Sequence, residues 1–435
     1  MTEIVFPQSI WTLTAPGRVP APTLAADADA DSVIIGGGFT GLSAALELAR
    51  AGQSVVLLEG QAVGWGASGR NNGQVIPTMT AAEPDAIAAR YGAAGERFAR
   101  LIGNSASVLF DTLRREDVFD FSAAEQTGWF QPAHSPGRVT LSKRRVEAWQ
   151  RFGFPTEFLN REQTTALLGS DFWYGGMLNP TGGHINPLAT ARGLAHAAEA
   201  HGAVIHETTP VAGWVRDGGQ WVVSAQNGCK VRARHLILAT NAYTGEQVPG
   251  LARRLARSIV PVLSWQMSTP PVPEPLRARI LPGRQAVSDT RGDLRFFRYD
   301  AQSRLITGGV VIGSHDVARR VAEKAGRNLA EAFPALGAQQ MSHVWSGYIG
   351  MTWDRFPRVH NLGPDAWTWI GCNGRGVALG VSMGREMARA VNGTPVETLA
   401  LPVSDPHPLP FHAIARRIAP GYLAWLRRKD LQEIK

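Results

Sequence analysis

Cysteine is nearly missing from this chain of 435 residues: only Cys229 and Cys372 occur, far apart and in no CxxC or Cys/His spacing. That scarcity excludes a disulfide framework and a structural zinc site, and no other metal-ligand pattern stands out, so no metal is expected. Long hydrophobic runs are missing too. No apolar stretch reaches the roughly 18 residues needed to cross a bilayer. The first thirty residues carry Glu3, Asp27 and Asp29 and are broken by Pro7, Pro16, Pro20 and Pro22, the wrong pattern for a basic segment followed by an apolar signal core. The expected compartment is the cytoplasm. Blocks of like charge are also lacking. Lys and Arg exceed Asp and Glu by 44 to 36 for a net charge of +8, but the arginines are spread along the chain, which argues against nucleic-acid binding.

What remains is the composition of an ordinary globular protein, 44% hydrophobic and 18% charged, long enough for two or three folding units. Residues 1–30 read as a surface arm rich in Pro and Ala, with order starting at Ser32. From there "SVIIGGGFTGLSAALELARAGQSVVLLEG" reads as buried strand, glycine turn, amphipathic helix and second buried strand, with Leu42, Ala45, Leu46 and Ala49 forming the helix stripe. Residues 83–113 are helical in pattern, and "GWFQPA" and "FWYGGMLNP" are strand-like. A second αβ region, "NPLATARGLAHAAEAHGAVIHETTPV", leads into a hairpin-like stretch. Prolines cluster between 249 and 282, "RFFRYDAQSRLITGGV" suggests paired strands, and "WTWIGCNGRGVALGVSMGREMARAVNG" returns to strand, glycine loop and helix. The expected organisation is an arm (1–30), a discontinuous nucleotide-binding domain (31–82, 181–250, 345–400), a second domain inserted between its visits (83–180, 251–344) and a C-terminal tail or helix (401–435).

Gly36, Gly38 and Gly41 form GxGxxG between the first strand and its helix, with Phe39 and Thr40 inside the turn, and Glu59 follows Gly36 by 23 residues at the end of the second strand. In this context the glycines permit a tight turn and close approach of a pyrophosphate, while the helix N-terminus supplies partial positive charge. The acid at that spacing suits a ribose 2′-hydroxyl and repels a 2′-phosphate, so an adenine dinucleotide other than NADP is expected. The rest of the chain separates FAD from NAD. "GWGASGRNNGQV" lies just beyond Glu59, so that Gly64 to Gln74, with Gly66, Ala67, Asn72 and Gly73 among them, can pass along an extended cofactor with backbone N–H groups exposed, while Ser68, Arg70, Asn71 and Gln74 supply polar contacts. A second glycine loop, Gly371 to Val377 with Gly374, Arg375 and Gly376, opens the last helix of the nucleotide domain. There it would stabilise negative charge at the pyrimidine edge of a reduced flavin.

These stretches, with "LILATNAYTG", in their order and spread over most of the chain, resemble the FAD-dependent amine and amino-acid oxidoreductases of the D-amino-acid oxidase type, and most of all the γ-glutamylputrescine oxidase-like branch. The resemblance implies an α/β and α+β fold: a discontinuous Rossmann-like FAD-binding domain with an inserted antiparallel-sheet substrate domain. It implies that Gly36, Gly38 and Gly41 hold the pyrophosphate, that Glu59 holds the adenosine ribose, that Val211 meets adenine through its backbone, and that Ala239 and Thr240 make a second strand-end contact. Asn241 stands there where a glycine is usual, Asn72 where the branch often has a second glycine, and Arg375 where it often has His. Relatives that attach flavin covalently use a Cys in the segment reading here "SGYIGMTWDRFP", which has none, so non-covalent FAD is expected. "RFFRYDAQSRLITGG" resembles the strand whose Arg binds the substrate carboxylate, which assigns that role to Arg298. The activity implied is oxidation of a C–N bond, with hydride passing to the flavin, hydrolysis of the imine, and reoxidation by O2 or another acceptor. No separate catalytic residue is expected.

Three alternatives remain open on sequence, the first a nicotinamide-linked dehydrogenase, which would lack the yellow colour of a flavin. A dehydrogenase feeding a quinone would use the basic, aromatic-laced "FHAIARRIAPGYLAWLRRKDLQ" at a membrane, although membrane contact is not the favoured reading. A flavin-binding redox sensor would do no amine chemistry at all. Sarcosine-like amines, cyclic imino acids, D-amino acids and γ-glutamyl polyamines all fit as substrates.

Overall fold

The computed structural model describes residues 6, 8–79, 82–247, 250, 252–293, 295–311, 315–415, 428–430 and 432–433. Its first sheet is built on short runs of apolar, mostly β-branched residues buried on both faces, the composition that parallel strands require. Ala28–Ile35 lies at its centre, parallel to Val55–Leu58 on one side and to Lys230–Leu238 on the other. Val204–His206 and Ala366–Ile370 extend it in parallel on the two flanks. Because these strands run the same way, the residues that follow them emerge on one edge: Gly36, Glu59, Ala239 and Gly371. In open α/β sheets ligands bind at the carboxyl ends of the strands.

Helix Phe39–Arg50 covers one face together with Pro187–Ala200 and Ala378–Val391, and its Leu42, Ala45, Leu46 and Ala49 stripe is buried as the spacing predicts. The long helix Ala93–Arg115 packs on Ala378–Val391. The opposite face is closed by the hairpin Val211–Asp217 and Gln220–Ala225 over a second apolar cluster.

The second sheet has eight strands, from His343–Met351 at one edge to Glu157–Leu159 at the other. Its pairings are antiparallel with one exception: Ala286–Ser288 runs parallel to Trp129–Pro132. These two strands come from separate passages of the chain, so no hairpin dictates their relative direction. The edge strand His343–Met351 pairs with Val260–Pro271, so it straddles the expected boundary at residue 345 and belongs to this sheet.

The expected surface arm is corrected. Residues Ile10–Thr14 form a helix with a Ser9/Thr12 capping box, Ile10 and Trp11 are buried, and Ala28 already lies in the central strand. A proline-rich composition hid a short segment whose two large apolar side chains find a pocket made by distant parts of the chain. Most of the basic C-terminal stretch, residues 416–427, lies outside the described residues. Among the described residues, no helix is long and apolar enough to cross a membrane.

Candidate functional site

A cavity of 1440 Å³ opens at the carboxyl edge of the first sheet and runs toward the second sheet. Drug-sized ligands occupy roughly 300–1,000 Å³, so this space suits something longer. At its base the Gly36 N–H donates to the Leu58 carbonyl at 2.9 Å and the Ala239 N–H to that of Ile35 at 2.8 Å. Gly41 lies behind the wall. A Cβ there would sit 2.0 Å from the Gly36 carbonyl oxygen, so only glycine lets the helix begin this close to the strand. The first-turn amides of that helix have no intrahelical acceptor; Ser68 Oγ accepts the one from Phe39 at 3.0 Å.

Glu59 lines the cavity and also a smaller cleft of 30 Å³ shared with Val211 and Thr240. Its carboxylate accepts from the Gly37 N–H at 2.7 Å and the Gln61 N–H at 2.8 Å, while burial raises its pKa, with the Glu207 charge adding to the rise. Sequence reasoning missed Glu207. This buried carboxylate accepts from the Val63 N–H at 2.6 Å and from the Ala21 N–H and the Arg18 guanidinium, both at 2.5 Å, and so braces the turn that carries Glu59's neighbours.

The structure brings most of the expected residues to one wall: Gly36, Gly38, Phe39, Thr40 and Glu59 from the first turn, then Gly66, Ala67, Ser68, Arg70, Asn71, Asn72 and Gln74. Ala239, Thr240, Asn241, Gly374, Arg375, Gly376 and Val377 join them. Val211 lies only in the smaller cleft, and Gly371 and Gly73 stand behind the wall. Gly73 has φ +77°, and a Cβ on it would lie 2.2 Å from the Ile185 carbonyl oxygen.

Two expectations are corrected. The stretch around residue 70 does not present a row of free N–H groups. The amides of Arg70 and Asn71 donate to the Ala67 carbonyl, and those of Gly73 and Gln74 donate to the side chains of Asn71 and Asn72 at 2.8 and 2.9 Å. A polar turn this short satisfies itself. The second correction concerns Arg298, which is buried but does not line the cavity. Its Nε donates to the Asn72 carbonyl at 2.7 Å, and its two terminal nitrogens donate to those of Tyr299 at 3.0 Å and Ile185 at 2.9 Å. A guanidinium fork spent on three carbonyls is a brace for the chain, so the expected carboxylate contact at Arg298 is not supported.

Of the arginines that line the cavity, Arg70, Arg355 and Arg375, the last is the most buried. It is 6% exposed, its Nε has no hydrogen-bond partner among the described residues, and burial together with the nearby Arg145 charge lowers its pKa to about 10. The Arg145 charge is itself balanced, by Glu83 at 2.5 Å. The cavity wall includes the aromatic side chains of Trp265, Phe296, Tyr348 and Trp369, the amides of Gln74 and Gln266, and the charged Glu59, Asp293 and Asp354. The amide oxygens of those two glutamines are buried and have no hydrogen-bond partner among the described residues. Cys372 also lines the cavity, but burial pushes its thiol up, away from the thiolate.

A glycine turn at the head of a helix, an acid at the end of the next strand and a buried arginine line one long cavity, an arrangement that suits a flavin-type oxidoreductase site. The chain belongs to the DAO family of FAD dependent oxidoreductases, whose model matches residues 31–390. It is 31% identical over 395 residues to the gamma-glutamylputrescine oxidoreductase of Escherichia coli, covering 88% of this chain and 89% of that one. Its identity to the probable oxidoreductase OrdL of Rhizobium meliloti is 31% over 396 residues, 89% of each. Among solved structures, glycine oxidase from Geobacillus kaustophilus matches with a TM-score of 0.70 at 20% identity, covering 85% of this chain and 96% of that one. L-proline dehydrogenase from P. horikoshii matches with the same TM-score and identity, over 87% and 96%. These two likenesses show the fold. The cofactor is FAD, and the glycine turn, whose packing no side chain could enter, fits its pyrophosphate.

Proposed function

We propose that this enzyme oxidises a carbon–nitrogen bond in a small amine or amino acid that carries an anionic group. Gamma-glutamylated amines are the first class to test, because the E. coli relative's name gives that substrate. The observation that carries the reading is Arg375, a buried guanidinium on the cavity wall that forms no ion pair among the described residues. A buried charge is expensive unless something pairs with it, and a ligand carboxylate or the electron-rich edge of the cofactor supplies the missing partner. Arg375 thereby takes over the role expected of Arg298.

Non-covalent FAD, when bound, supplies the two-electron acceptor for a hydride equivalent from the carbon beside nitrogen. The turn from Gly36 to Thr40 offers the pyrophosphate a helix N-terminus, and Glu59 offers the ribose a carboxylate. Arg375 orients the substrate, and Trp265, Phe296, Tyr348 and Trp369 exclude water from the reacting carbon. The imine formed hydrolyses in water to a carbonyl compound and an amine, and oxygen is the proposed final acceptor. The test is anaerobic mixing of the yellow holoenzyme with a panel of γ-glutamyl polyamines, sarcosine, cyclic imino acids and D-amino acids. Bleaching of the flavin bands by an anionic C–N substrate is expected; a panel that bleaches nothing overturns the reading. Hydrogen peroxide released in air separates an oxidase from a dehydrogenase.

A further inference from the structure

Four successive carbonyls in the cavity-lining turn are held from outside the cavity. Trp345 Nε1 donates to Arg70 at 2.8 Å, Trp11 Nε1 to Asn71 at 2.8 Å and Arg298 Nε to Asn72 at 2.7 Å, and the Ile185 N–H donates to Gly73 at 2.9 Å. The donors reach the turn from different parts of the chain, Trp11 from the N-terminal segment. Trp11 is fixed in turn, its ring 5.7 Å from that of Trp345 at 79° and 4.8 Å from the Arg298 guanidinium carbon.

Each carbonyl shares a rigid trans peptide plane with the following N–H, and the two point in opposite directions. In three of the four planes that N–H is already used: Asn71 by the Ala67 carbonyl, Gly73 by Asn71 Oδ1 and Gln74 by Asn72 Oδ1. The remaining plane is the one Trp11 holds. Its N–H belongs to Asn72, a residue of the cavity wall, and has no acceptor among the described residues.

We propose that Trp11 is a positioning residue of the active site: by drawing the Asn71 carbonyl outward it aims the Asn72 N–H at an acceptor atom of the flavin ring. A donor fixed against the ring strengthens as the ring gains electrons, so it raises the reduction potential. Removing it disfavours the reduced form.

The test uses the holoenzyme and its two-electron potential. Trp11→Phe keeps the ring contacts with Trp345 and Arg298 but has no N–H. The expected result is a five- to tenfold shift of the reduction equilibrium toward oxidised flavin, roughly 20–30 mV for a two-electron couple, with a change in the visible spectrum of the bound flavin. Trp345→Phe is the control. It removes an equivalent hydrogen bond from a plane whose N–H is internally satisfied, so it lowers stability and leaves the potential in place. An unchanged potential in Trp11→Phe, or an equal shift in both variants, overturns the proposal. Should Trp11→Phe fail to fold, replacing Trp11 with benzothienylalanine, which matches the indole in shape without the N–H, gives the same reading. Wild-type protein that binds no FAD would refute the cofactor itself, and wild type that is yellow but bleached by no amine would refute only the proposed substrate.

Discussion

Replacing Arg298 with Met separates the brace seen in the structure from the substrate contact expected of that residue. The guanidinium makes three hydrogen bonds to main-chain carbonyls, and each bond from a charged donor is worth about 1.5–3 kcal/mol. Against that, burial holds the pKa near 10 rather than 12.5, which disfavours the cation by about 3 kcal/mol at 1.36 kcal/mol per unit. Methionine fills much of the volume, and the net loss is about 2–6 kcal/mol. Unfolding entropy of about 2.1 cal/mol/K per residue makes one degree worth about 0.9 kcal/mol in a chain of this length, so Tm falls by about 2–7 °C. Differential scanning calorimetry of the apoprotein measures that fall. Steady-state kinetics on a carboxylate substrate and its amide then ask whether KM discriminates between them as in wild type, which is the expected result. A variant with wild-type Tm and a KM raised tenfold for the carboxylate alone refutes the brace and restores the substrate contact.

Arg375→Gln reverses that pattern: KM for an anionic substrate rises about 10- to 100-fold, the range for one charge-assisted contact, while apoprotein Tm holds or rises because an unbalanced buried charge is gone. An unchanged KM would remove Arg375 from substrate recognition. Gly73→Ala forces a Cβ against the Ile185 carbonyl oxygen at positive φ; strain of about 1–2 kcal/mol plus repacking of about 1–3 kcal/mol weakens FAD retention measurably by fluorescence titration. His134 is buried and accepts or shares a hydrogen bond with Thr290 Oγ1 at 2.8 Å, and burial lowers its pKa to about 4, with Arg291 adding to the effect. Because the unfolded chain takes up that proton near pH 6.5, stability is full above 6.5 and falls on acidification toward pH 4, by up to about 1.4 kcal/mol per unit from this group. Urea midpoints of His134→Gln should be flatter than wild type across that window; equal slopes would show that other groups set the acid limb.

The nucleotide half of the molecule was legible because its signals are local. Strand, turn, helix and acid fall within thirty residues, and Gly36, Gly41 and Glu59 act on neighbours that lie close in sequence. The failures share a physical cause. Nothing near Arg298 reveals that the carbonyls of Asn72 and Ile185, more than a hundred residues away, converge on it, and four arginines in one short region offer equivalent local patterns. Trp11 looked like part of a loose arm because its partners, Asn71, Trp345 and Arg298, are all remote. Arg375 was found by its glycine loop, but its unbalanced charge could only be read once Arg145 and Glu83 were in place around it. The turn at Asn71 and Asn72 was expected to offer its amides outward, but two of them cap onto Asn side chains, which readily bond their own backbone, and two onto the Ala67 carbonyl.

The parallel sheet is completed from both ends of the chain. Leu236 pairs with Ala366 and Leu238 with Thr368, so during synthesis the apolar end of this strand, Leu236 to Leu238, waits on one flank for residues made about 130 positions later. At about 5–20 residues per second, that exposure lasts roughly 6–26 s, and the intervening chain must meanwhile fold its own sheet. Ribosome stalling or truncation before residue 366 would therefore release a protein with an open, sticky strand edge, and its yield in cells depends on translation speed and chaperone capture as much as on final stability.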